Sequence, residues 1–463
     1  MKIREKEEKL IEDFLNDPGK KVAVIYGRSG MGKSFFLKNL VITYPGLYFS
    51  AYKTTSEMEV RLLNSIVSDE DDSDLCKVIE KIKLRASVYD TRPFVFIIDN
   101  YNDFARACDE FDGKLAKSMD EAFTGTNVKL ILATDSYISM DKLFFSSKSN
   151  WKKYSPLFIE FEKLSFKESI QFFNEKNRED YVYLYGLTGG IPEFLSKIDG
   201  NYMGRFEAVK KTLLHDADDK ALPDRAMLND LREPMNYNRV MQTLSMNVNR
   251  VNEISKNVGK PKDIVVPYMK SLMKIGLVDR ETPVLERGNR KKTRYSIKNT
   301  ADIFYYRFLV PSLPRYISSG KLIDFQQSDL KDFERTTFIQ IAKDYIKEMD
   351  RKKQLPFALS DMGNWWENND EDGTSTDFDI VCSGKDENGE AFSFSRCYFM
   401  KEAVEIQELK DIIELTKHVR RQGDMYYLIF SAGGFSDHAV TVSQAIRNIM
   451  LFNLDDMINE VGK

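Results

Sequence analysis

Apolar residues recur along this chain in two rhythms. Short β-branched or wholly apolar runs alternate with stretches whose apolar positions fall three and four apart. Residues 1–20 place Leu10, Ile11, Phe14 and Leu15 on one helical face and stop at Asp17-Pro18-Gly19. Lys21–Tyr26 predicts a strand, Ser34–Leu40 a helix, Leu47–Ser50 a short strand, and the segment from Thr55 another helix. Phe94–Asp99 and Val128–Thr134 are solidly apolar strands. Such strands separated by helices indicate an α/β unit with a parallel sheet covered on both faces. The acidic stretch Asp69–Asp74 reads as a solvated loop, and Phe166 to about Leu231 as mostly helical.

Two further units follow. Asn252–Asn257 and Lys262–Lys274 read as helices separated by a Gly259-Lys260-Pro261 turn. A strand opening at Gly276 and an extended return over Thr293–Ile297 complete the pattern of a winged helix-turn-helix. Beyond residue 330 a helix (Phe333–Met349) precedes strands at Phe378–Cys382, Ala391–Phe399 and Tyr426–Phe430, with a helix over Ile406–His418. The expected organisation is a parallel-sheet α/β core over 1–165, a helical lid over 166–235, a winged helix over 236–300, a linker over 301–329, and a C-terminal α/β domain over 330–463.

At 463 residues the chain suits about three domains, and 42% apolar content lets each bury a core. Four cysteines (Cys76, Cys108, Cys382, Cys397) stand far apart, without CxxC or Cys/His pairing, so neither a zinc site nor a disulfide framework is suggested. The charged MKIREKEEKL start does not read as a signal peptide, and no apolar run approaches the roughly 18–20 residues a membrane span needs. A cytoplasmic protein with no membrane partner is expected.

Gly27-Arg28-Ser29-Gly30-Met31-Gly32-Lys33-Ser34 matches GxxxxGK[ST] between a strand and a helix. Glycines let successive N–H groups turn inward around phosphates, and the helix start adds its positive end. The expected cradle is Gly27 through Ser34 with Phe35, Lys33 reaching the β- and γ-phosphates and Ser34 ligating Mg²⁺. Asp99, ending the Phe94–Asp99 strand, is the expected second metal ligand. ATP with Mg²⁺ is the expected cofactor, and Lys33, Asp99 and Asn100 are the expected catalytic set. Asn100 can orient a water but cannot take its proton, so hydrolysis is slow or another carboxylate, Asp103 or Asp135, substitutes. Asp135-Ser136, ending the Val128–Thr134 strand, is the expected γ-phosphate sensor.

With Leu187-Thr-Gly-Gly-Ile-Pro192-Glu-Phe-Leu195, these motifs resemble the archaeal-type ATPases of the STAND branch of the AAA-related superfamily. The resemblance implies that Pro192 lies near the nucleotide. It continues through Arg232-Glu-Pro, Tyr237, Tyr295, Phe304-Tyr-Tyr-Arg307-Phe, Gly363-Asn-Trp365-Trp366 and Asp377-Phe-Asp379. That order resembles the subset bearing a C-terminal restriction-endonuclease-like domain of unknown function. Relatives carry Glu after the Asp99 position and a Glu, Cys, Lys run in the C-terminal domain. This chain has Asn100 at the first, and Arg396 and Tyr398 around Cys397.

An active nuclease would need an Asp and a Glu for Mg²⁺ plus a Lys. Asp379 and Asp377 supply the acid but Ser395–Tyr398 supplies neither partner, so a non-catalytic domain is expected. Residues 237–300 carry 14 Lys/Arg against 5 Asp/Glu, whereas residues 361–463 carry 9 against 20. Lys262, Lys270 and Lys274 with Arg287, Arg290, Lys291, Lys292 and Arg294 form a cationic cluster suited to DNA phosphates. The same cluster suits the acidic C-terminal domain of this or another subunit, and self-association belongs among the expected partners. Three functions compete: a nucleotide-dependent switch with slow hydrolysis, a conventional ATPase rearranging a DNA-bound complex, and a metal-dependent nuclease.

Overall fold

A computed structural model describes residues 3–89, 92–106, 111–174, 180–198, 204–214, 227, 230–231, 233–321, 327–368, 375–417, 419 and 421–459. Cys108, Arg232 and His418, all singled out above, lie outside the described residues. The amphipathic start forms α1 (Glu5–Asn16), which buries Ile11, Phe14 and Leu15. Five parallel strands follow: β1 (Val22–Tyr26), β2 (Gly46–Ser50), β3 (Phe94–Asp99), β4 (Val128–Thr134) and β5 (Leu157–Glu160). Their order is β2-β3-β4-β1-β5, so β1 lies between β4 and β5. Every residue of β3 and β4 is buried, as expected of central strands covered on both faces. Helix α2 (Lys33–Thr43) leaves β1 through the glycine-rich turn.

Three helices, Pro234–Ser245, Val251–Val258 and Lys262–Lys274, lead into an antiparallel pair, β6 (Val278–Glu281) and β7 (Arg294–Ile297). Residues 301–319, within the stretch 301–329 expected as linker, are helical, with a π-helical turn at Tyr305–Leu309. The physical reason is apolar content: Phe304, Tyr305, Tyr306, Phe308 and Leu309 are all buried. Helix Gln327–Arg351 then leads into a second five-stranded sheet. Its strands are β8 (Ala358–Asn368), β9 (Ser375–Lys385), β10 (Glu390–Tyr398), β11 (Asp424–Ser431) and β12 (Ile449–Asn453), in the order β12-β11-β10-β9-β8. Strands β8 to β10 are antiparallel and β10 to β12 parallel. No helix among the described residues is long and apolar enough to cross a membrane.

One apolar cluster runs from Ile11 and Ile25 through Tyr183 and Phe333 to Leu428 and Met457. Within it, helix Tyr181–Thr188 packs closely on helix Gln327–Arg351 at Gly186. A Cβ there would lie 2.5 Å from Thr337 Oγ1 and 2.8 Å from the Phe333 ring. We expect Gly186→Ala to lower stability by about 1–3 kcal/mol through overpacking, read as an earlier denaturant midpoint.

Candidate functional site

The turn after β1 has the backbone that a phosphate loop needs. Gly27, Gly30 and Gly32 take φ values of 143°, 83° and 84°, a region costly to side chains. A Cβ at Gly27 would also lie 2.4 Å from the Phe161 carbonyl oxygen. The turn ends at the first residue of α2, Lys33, whose Nζ donates to the carbonyls of Gly27 (2.7 Å) and Arg28 (2.9 Å). Burial lowers the Lys33 ammonium to about 8, opposed by the carboxylates of Asp135 and Asp99.

Asp99 closes the other side. It is buried at the end of β3, accepting from the Tyr48 hydroxyl (2.7 Å) and from the Asn100 N–H (2.9 Å). Burial and the Asp99 carboxylate raise the Tyr48 hydroxyl, while hydrogen bonding to Ser34 and Ser50 opposes them. Tyr48 thus holds the expected metal ligand Asp99. Asn100 sits in left-handed backbone, φ 54°, and donates from Nδ2 to Ser50 Oγ at 3.2 Å. Asn tolerates that conformation better than Glu does.

A cavity of about 840 Å³ joins these groups. Ser29, Gly30, Met31, Gly32, Lys33, Ser34, Phe35, Asp99, Asn100, Asp135 and Pro192 line it, as do Arg4 and Glu8 from the N-terminal segment. Phe35 is 75% exposed at its edge. Three expected residues are absent from the lining. Gly27 lies behind the loop, against Phe161. The Arg28 side chain turns away to Asp302, with contacts of 2.7 and 3.1 Å. Ser136 is buried, its Oγ accepting from Ser139 N–H at 3.0 Å and donating to Asp230. Asp135 rather than Ser136 faces the cavity. Of the two substitute carboxylates only Asp135 lines it; Asp103 does not, and burial raises its pKa.

Residues that sequence reasoning passed over complete the surroundings. Tyr48 was detectable in principle: alternation along β2 turns it away from buried Leu47 and Phe49, two residues before Ser50, which pairs with Asp99. Arg4 gave no signal. Its guanidinium donates to the carbonyls of Met31 (3.0 Å) and Glu162 (2.6 Å) and lies over Phe161.

The other two candidate surfaces are partly occupied from within the chain. Asp379 is buried, one oxygen accepting from Arg335 Nη2 (2.7 Å) and the other from Cys397 N–H (2.9 Å). Arg396 lies 3.6 Å from Asp377. On the β6–β7 hairpin, Arg287 grips both oxygens of Asp361 at 2.7 Å. Lys292 pairs with Glu286 and lies 3.9 Å from Glu367, and Arg294 stacks 4.2 Å from the centre of the Trp366 ring. Lys274 pairs with Asp141.

Comparison with known proteins accords with this geometry. A family described as archaeal and bacterial proteins of unknown function matches residues 305–409. An uncharacterized protein of Methanocaldococcus jannaschii is 24% identical over 370 residues, covering 80% of this chain and 82% of its own length. A Walker-type ATPase of Pyrococcus abyssi superposes with a TM-score of 0.52 at 18% identity, over 65% of this chain and 95% of that one. Cdc6p from Pyrobaculum aerophilum gives 0.34 at 13% identity, over 66% and 94%. The chain has the fold of a P-loop ATPase, with a C-terminal sheet domain added.

Because the folded chain holds Lys33 below the usual lysine range, the unfolded chain binds more protons between about pH 8 and 10. Stability therefore gains from Lys33 as pH rises through that window. We expect wild type to gain up to about 3 kcal/mol relative to Lys33→Met between pH 7.5 and 10, measured by paired denaturation curves.

Proposed function

We propose that this chain binds ATP with Mg²⁺ at the loop of residues 27–34 and acts as a nucleotide-dependent switch with slow hydrolysis. The observation that carries the reading is the convergence of two left-handed glycines, Gly30 and Gly32, a buried Lys33 cation and the Asp99 carboxylate on one cavity. That donor set fits a Mg²⁺-triphosphate. The loop N–H groups and Lys33 would hold the phosphates, while Ser34 and Asp99 would hold the ion. The metal supplies charge neutralisation on the phosphate oxygens.

Asn100 supports slow turnover. Asn100 follows Asp99 on the cavity wall, and its side-chain amide, which donates to Ser50 Oγ, can orient a water without accepting a proton. Asp135 is the carboxylate on the same wall that supports the rival reading, a conventional ATPase. The nuclease reading has less support, since Asp379 is engaged at both oxygens by Arg335 and the Cys397 backbone.

The expected coupling is to a partner through residues 236–300. Three helices followed by an antiparallel pair support a winged helix there. Arg287, Lys292 and Arg294 touch the C-terminal sheet, which supports packing as the role of the hairpin. Lys262 and Lys270 are exposed and support a DNA-facing helix. A cytoplasmic setting fits this reading.

Two experiments test these proposals. With Mg²⁺, wild type should bind ATP but release phosphate slowly. Lys33→Ala should weaken binding about tenfold to a hundredfold. Asn100→Asp, which suits the left-handed backbone, should speed release about a hundredfold by adding a base. Brisk wild-type turnover, unchanged in Asn100→Asp, would replace the switch with the conventional ATPase and Asp135 as base. For DNA, Lys262→Glu with Lys270→Glu should reduce the slope of log affinity against log salt by about two. No measurable DNA binding by wild type at low salt would turn the partner reading to protein.

A further inference from the structure

We infer that Asp302 is a positioning residue of the phosphate loop, and that the Arg28–Asp302 pair transmits the state of that loop to residues 294–304. The inference rests on the nucleotide reading above.

Arg28 belongs to the loop by its backbone and to a distant segment by its side chain. Its guanidinium meets both oxygens of Asp302, a residue 274 positions away, with the two side chains 8% and 1% exposed. A two-pronged pair of this kind fixes orientation as well as distance. At the same time the Arg28 carbonyl accepts from Lys33 Nζ at 2.9 Å. A triphosphate would compete for that ammonium, so the Arg28 peptide sits between the ligand's cation and Asp302.

The loop is held a second time by a route that returns to the same segment. Glu193 N–H donates to the Gly30 carbonyl at 3.1 Å. Four residues earlier, the Gly189 carbonyl accepts from Asn299 Nδ2 at 3.0 Å. Asn299 Oδ1 in turn accepts from Ala301 N–H at 2.9 Å, which fixes the helical turn bearing Asp302. Gly189 has no room for a side chain here, since a Cβ would lie 1.9 Å from Asn299 Oδ1. Arg28 and Gly30 are therefore both tied to the turn at 299–302, which directly follows β7. A shift of the loop has a stiff, buried path to the hairpin. The carrier is an element whose position both ends bias.

Hydrogen exchange resolved by peptide tests this, with and without ATP and Mg²⁺, on wild type, Asp302→Asn and Arg28→Lys. Asp302→Asn removes the charge at nearly constant volume; Arg28→Lys keeps the charge and removes the two-pronged geometry. In wild type, nucleotide should slow exchange at residues 27–36 and change it at 294–304 by about fivefold or more. Both variants should need more ATP to reach the first response, because the pair positions the loop, and at saturating ATP should show the first response without the second. If one variant fails to fold, the other decides. A second response that survives in the folded variant, or that is missing in wild type when the first is present, overturns the inference. No response at 27–36 in wild type at millimolar ATP overturns the nucleotide reading, and the inference with it.

Discussion

The backbone after β1 has to pass the Phe161 carbonyl at a distance that leaves no space for a side chain. It must then turn twice through conformations that glycine tolerates best. That close passage anchors the arrangement of the first 165 residues. It needs β5 beside β1, because Phe161 directly follows β5. It delivers Lys33 to the start of α2 with its ammonium folded back over the loop carbonyls. And it points the Arg28 side chain away from the cavity, where only an acid such as Asp302 can compensate its buried charge.

What could be read in advance follows from the range of the forces involved. Four strands of the first sheet, the helix leaving the loop and two of the three helices before the hairpin were legible, because periodicity and glycine spacing are local; β5 and the helix Pro234–Ser245 were not read. Strand Phe94–Asp99 agrees with its expected bounds to the residue. Strands β8 and β12 were missed, one interrupted by register shifts and the other only five residues long. The stretch 301–319, expected as linker, is helical because its aromatic residues find their partners far along the chain. Phe304 and Phe308, for example, both pack on Phe333. In the site, the loop residues were legible; Arg4 and Asp302 were not, since each acts through a contact that no local spacing records, and Tyr48 was passed over although the alternation along β2 marks it.

The charge asymmetry between residues 237–300 and 361–463 left two readings open, and contacts within the chain account for part of it. Arg287 on Asp361 and Arg294 on Trp366 use hairpin cations to hold β8. Val284, between the hairpin strands, joins the apolar cluster of the C-terminal sheet. Val284 is buried there while Arg287 and Asp361 stay 44% and 38% exposed, an apolar centre with a polar rim. A cationic patch in sequence is thus a poor guide to ligand class until its intramolecular partners are known.

The cluster that runs from Ile11 to Met457 also bears on how the chain comes into being. The first sheet forms from residues 22–160, all synthesised early. Yet Gly186 packs on Phe333 and Thr337, and the helix Phe166–Ser169 meets the C-terminal helix Leu454–Ile458. Those apolar faces stay uncovered on a growing chain until residues 333–458 have been translated. For that interval the nascent protein presents hydrophobic surface of the kind that chaperones engage.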